Sequence, residues 1–83
     1  LVDVPPCDHM LVVRNDDRPG MIGLVGTVVG DAGGNVANMT VGHYEGGSTA
    51  VMVLATDQPV GADVVRRLEG HEGIISAKGI DLT

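Results

Sequence analysis

A chain of 83 residues carries a single hydrophobic core, because a domain of this size buries only about 60% of its unfolded surface and has none to spare for a second. Its net charge of −6 and pI near 4.6 argue against a nucleic-acid partner, and the absence of Phe and Trp removes the stacking platforms of an RNA-binding sheet. No apolar run approaches the ~20 residues that span a bilayer, no signal-peptide pattern is present, and the lone Cys7 cannot close an internal disulfide, so a reducing, cytoplasmic setting is expected.

Residues 1–8, LVDVPPCD, are broken by Pro5-Pro6 and read as a linker or the end of a preceding domain. With Leu1 rather than Met at its start, the chain reads as a piece of a larger protein. Residues 9–15, HMLVVRN, form a β-branched run typical of a strand. Residues 19–34 then space Ile22, Val25, Val28, Val29 and Ala32 as a helix does. Pro19 suits the first helical position, Asp17 or Arg18 the cap, and Gly33-Gly34 the exit. Gly23, Gly26 and Gly30 inside this helix each cost about 1 kcal/mol relative to Ala, which calls for close packing against the sheet or a neighbour.

Residues 35–45 and 48–56 are two strands joined across Glu45-Gly46-Gly47. A second helix follows within residues 56–70, turning Val64, Val65 and Leu68 inward and Arg66-Arg67 outward. Residues 73–82, GIISAKGIDL, close the chain as a strand. The order β-α-β-β-α-β predicts an α+β ferredoxin-like sandwich, a four-stranded antiparallel sheet with two helices on one face. Right-handed crossovers place the first and third strands centrally and leave the second and fourth as edges. The second strand has no Lys or Pro to protect it, so it invites pairing with another chain.

The turn NDDRPG, the helix IGLVG, the strand GNVANMTVG and the ending IISAKGIDL together resemble the ACT domain family, small modules that bind amino acids at subunit interfaces of metabolic enzymes. The resemblance covers residues 9–83 and is most specific to the domain that ends the NAD-dependent dehydrogenases opening serine biosynthesis. It implies an effector, L-serine in many bacterial forms, held at a homodimer interface. It also implies that the catalytic and NAD-binding parts lie outside this chain, which contributes neither a catalytic residue nor a cofactor site. The implied effector-binding residues are Asn15, Asp17, Arg18, Pro19 and Gly20 in the loop after the first strand, with Asn35 at the second strand of a neighbouring subunit. A well-known version of the loop has His in place of Asn15 and Asn in place of Asp17. The iron–sulfur L-serine dehydratases carry a similar module.

Local chemistry allows the same site. A helix N-terminus offers N–H groups and positive partial charge to a carboxylate, Gly20 permits close backbone approach, Asp17 can accept from an ammonium, and an Asn can pair with either group. Read from spacing alone, Asp17 is a helix cap and Arg18 a structural or interfacial cation. His43 and Tyr44 read as surface or interface residues, and the four methionines as core filler. Asn38, three residues after Asn35, is expected on the opposite strand face. Cys7, His9, His43 and His71 match no zinc spacing. A ligand-free oligomerisation module is the second reading. An acylphosphatase-type enzyme is a third, disfavoured because no glycine-framed phosphate cradle ends in Arg.

Overall fold

The computed structural model describes residues 9–43 and 47–81. The linker expected at residues 1–8, Cys7, Tyr44 and most of the hairpin turn lie outside the described residues. Six elements follow in the predicted order: β1 (His9–Asp16), α1 (Met21–Asp31), β2 (Val36–His43), β3 (Thr49–Thr56), α2 (Ala62–Glu69) and β4 (Ile74–Asp81). The strands form one antiparallel sheet in the order β2-β3-β1-β4, so β1 and β3 are central as the crossover rule requires.

Both helices cover one face of the sheet. Alternation along β1 buries Leu11 and Val13, and β3 contributes Met52 and Leu54 from the same side. Val25, Val28 and Val29 of α1 and Val64 and Leu68 of α2 close over them. Full burial of a single Leu or Val contributes about 1.5–3 kcal/mol, so a core without aromatics is built from many small, tightly interlocking increments.

Helix entry departs from expectation. The N-cap of α1 is Gly20, at φ 91°, and no side chain caps the helix. Pro19 therefore lies before the helix, and neither Asp17 nor Arg18 caps it. The backbone explains this. Arg18 N donates to Asp16 O (2.9 Å), closing a tight turn, and the chain then needs a left-handed residue to enter the helix. At the other end Ala32 is the C-cap and Gly33 follows at φ 85°, as an α-helix exit favours.

Further corrections concern packing. A Cβ at Gly23, Gly26 or Gly30 would meet nothing within 4 Å, so these glycines do not accommodate the sheet. Ile22 is 53% exposed, and Met21 takes the inward position instead. Met10 lies opposite the core-facing Leu11, on the uncovered face of the sheet, rather than filling the core. In β2 the register shifts between Val36 and Asn38. This bulge lets Val36 and Met39 both reach the core although three residues apart, so simple alternation cannot relate Asn35 to Asn38.

Candidate functional site

The loop between β1 and α1 is fastened from both sides. Asp16 N donates to Gly73 O in the α2–β4 turn (2.7 Å), and Asp17 N donates to Ser48 O beside the β2–β3 hairpin (2.7 Å). The guanidinium of Arg18 lies over the Gly73 backbone so closely that a Cβ there would stand 2.9 Å from Nε. Arg18 thus packs its guanidinium on the turn before β4, while the loop's backbone ties are made by Asp16 and Asp17.

Asn15 is the unusual member. It shares the parity of Leu11 and Val13, so β1 carries it onto the core face, where it is 2% exposed. Its Nδ2 donates to Asp16 O (2.8 Å), and its Oδ1 is buried without a partner. Because Asp16 O can only accept, the amide nitrogen must face it, which fixes the oxygen as the unsatisfied end. A buried acceptor left unmatched costs about 1–3 kcal/mol, an outlay that a bound donor would recover.

Asp17 does not wait free for a ligand. Its Oδ2 lies 3.1 Å from Nδ1 of His43 at the end of β2, with both side chains about half exposed. Sequence spacing gave no sign of this contact. Beside the pair, α1 begins without a side-chain cap and without an acidic residue in its first turn, so its positive end is uncompensated.

Asn35 is not part of this cluster. β1 and β2 both run antiparallel to β3, hence parallel to one another, and Val36 stands opposite Thr56 while Asp16 stands opposite Thr49. At ~3.3 Å per residue, Asn35 lies roughly 25 Å along the sheet from the loop. There its N donates to Asp57 Oδ1 (3.0 Å) and its O accepts from Asp57 N (3.2 Å). One chain therefore brings together Asn15, Asp17, Arg18, Pro19 and Gly20, with His43 added, and leaves Asn35 at the far end. Among the described residues no group of three or more His, Cys, Asp or Glu could hold a metal ion, and no helix is long and apolar enough to cross a membrane.

Comparison with known proteins accords with this architecture. The ACT domain family model matches residues 9–73, and the chain belongs to that family of ligand-binding regulatory modules. It is 37% identical to D-3-phosphoglycerate dehydrogenase of Bacillus subtilis over 81 residues, 98% of this chain and 15% of the relative. It is 34% identical over 83 residues to the enzyme of that name from Archaeoglobus fulgidus, 98% of this chain and 16% of the relative. A third, from Methanocaldococcus jannaschii, is 38% identical over 73 residues, 88% of this chain and 14% of the relative. The chain thus spans about one-sixth or less of these relatives. A solved structure described as GqqA, a novel type of quorum-quenching acylase, shares the fold with a TM-score of 0.55 at 18% identity, covering 93% of this chain and 31% of that one.

Proposed function

We propose that residues 9–83 form the amino-acid-sensing domain of a D-3-phosphoglycerate dehydrogenase, a cytoplasmic NAD-dependent oxidoreductase, with L-serine as effector. Catalysis and NAD binding belong to the remainder of that enzyme; this chain contains no G-x-G-x-x-G dinucleotide fingerprint. The observation that carries the reading is the buried, unpartnered Oδ1 of Asn15 beside the uncapped start of α1.

The effector divides among these groups by chemistry. Its carboxylate lies at the α1 N-terminus, where Gly20 lets it approach the backbone. Its ammonium or hydroxyl donates to Asn15 Oδ1, and Asp17 supplies a charge-assisted acceptor. The site is completed across a homodimer. Antiparallel pairing of two unprotected β2 edges about a two-fold axis sets the start of one β2 beside the end of the other. The partner's Asn35 then stands next to His43 and Asp17. Ligand favours one arrangement of the paired domains and so biases the attached catalytic domains.

Titration of the whole chain with L-serine in a calorimeter tests this. Saturable heat with one ligand per chain, lost in Asn15→Ala, is the expected result. No heat, no amide shift and an unchanged melting temperature would overturn it. The ligand-independent oligomerisation reading draws support from one contact, the Asp17–His43 pair, which already occupies the proposed ammonium acceptor. It predicts a dimer indifferent to amino acids.

A further inference from the structure

A recess lies at the opposite end of the sandwich from the β1–α1 loop, between the end of α1 and the start of α2. Its volume is about 110 Å³. Val29, Val60 and Val64 give it apolar walls, and Thr56, Gln58 and Asp63 add polar side chains. No Lys, Arg or His lines it.

Gln58 brings an amide that can donate and accept, and Asp63 is the one charged residue of the lining. Thr56 is 5% exposed, and its Oγ1 donates to Gln58 O (2.7 Å), so the hydroxyl proton is spent and only lone pairs remain. Asp63 adds a carboxylate in the first turn of α2. It answers the positive end of that helix and would repel an incoming anion. One carboxylate with no cationic side chain beside it, the spare lone pairs of Thr56 and aliphatic walls favour a cation with hydrogen-bond donors and a short hydrocarbon body. By proportion to an engineered apolar cavity of ~150 Å³ that holds benzene, the volume suits about four or five heavy atoms.

We propose that this cleft binds a small aliphatic ammonium compound, its cation on Asp63 and Thr56 and its hydrocarbon against Val29, Val60 and Val64. The site is independent of the β1–α1 loop and of any dimer, and so of the effector reading above.

Amide-resolved NMR titration of the ¹⁵N-labelled whole chain tests it, with isobutylammonium as probe and isobutanol and isobutyrate as neutral and anionic counterparts at equal ionic strength. Isobutylammonium is expected to saturate shifts at Gly34, Thr56 and Val64, with isobutanol weaker by about tenfold, as loss of a charged hydrogen bond implies, and isobutyrate silent. Asp63→Asn should weaken isobutylammonium by about tenfold and leave isobutanol unchanged. Ala32→Leu, at the exposed rim of the cleft, should block both probes with the fold intact. Equal binding of the three probes, shifts located elsewhere, or no saturable shift for isobutylammonium would overturn the proposal.

Discussion

The Oδ2 of Asp17 lies 3.1 Å from the Nδ1 of His43, tying the loop that opens α1 to the end of an edge strand. Exposed pairs of this kind contribute at most about 1 kcal/mol, so the contact matters for where it holds Asp17 more than for stability. Replacing His43 with Ala should leave the melting temperature nearly unchanged. It should also tighten serine binding several-fold, because the proposed ammonium acceptor loses its competitor. Calorimetric titration of the variant checks this, and unaltered or weakened affinity would show that His43 does not compete.

Asn15 gives a prediction of opposite signs for stability and function. Asn15→Leu removes an unsatisfied buried oxygen and forfeits one hydrogen bond, while Asp16 O still accepts from Arg18 N. Urea unfolding should show stability unchanged or raised by up to about 1 kcal/mol, with the serine response abolished. A large loss of stability would mean that the amide serves the fold instead.

Glycines at two places should respond oppositely to the same change. Gly73 has φ 97° and lies under Arg18, so Gly73→Ala should cost about 1–3 kcal/mol and displace the Arg18 guanidinium. Gly23, Gly26 and Gly30 have open space where a Cβ would go. The triple Ala variant should gain about 2–3 kcal/mol from helix propensity, measured by thermal melts of the isolated chain.

Leu54 is fully buried at the centre of a core without aromatics. Leu54→Ala should cost about 2–5 kcal/mol, a large share of the 5–15 kcal/mol that holds a typical domain together. Urea titration would report it directly.

Thr40 is an exposed residue near the middle of the β2 edge. In the proposed dimer its two copies face one another across the axis, so Thr40→Lys should raise the dissociation constant by tenfold or more through like-charge repulsion. Sedimentation over a concentration series would show it, and an unaffected dimer would locate the contact elsewhere.

Much of this molecule could be read from its residue pattern. β-branched runs, a hairpin signal and two stretches of helical spacing placed six elements in order, and the crossover rule then dictated the strand order. Asn15 was reached only through the family resemblance, and its parity with Leu11 and Val13 on β1 accounts for its burial. What escaped had tertiary causes. The first helical position moved from Pro19 to Met21, and the cap from Asp17 or Arg18 to Gly20, because Arg18 N turns back onto Asp16 O. The bulge after Val36 reset alternation in β2, and the Asp17–His43 contact depends on cross-strand register that no local spacing records.

The parallel course of β1 and β2 has a genetic consequence. If each effector site draws Asp17 from one chain and Asn35 from the other, the two residues need not be intact in the same polypeptide. Mixing an Asp17→Ala chain with an Asn35→Ala chain, each unresponsive alone, would assemble heterodimers with one doubly defective site and one wild-type site. Half of the serine-binding capacity would return in those mixed pairs by complementation.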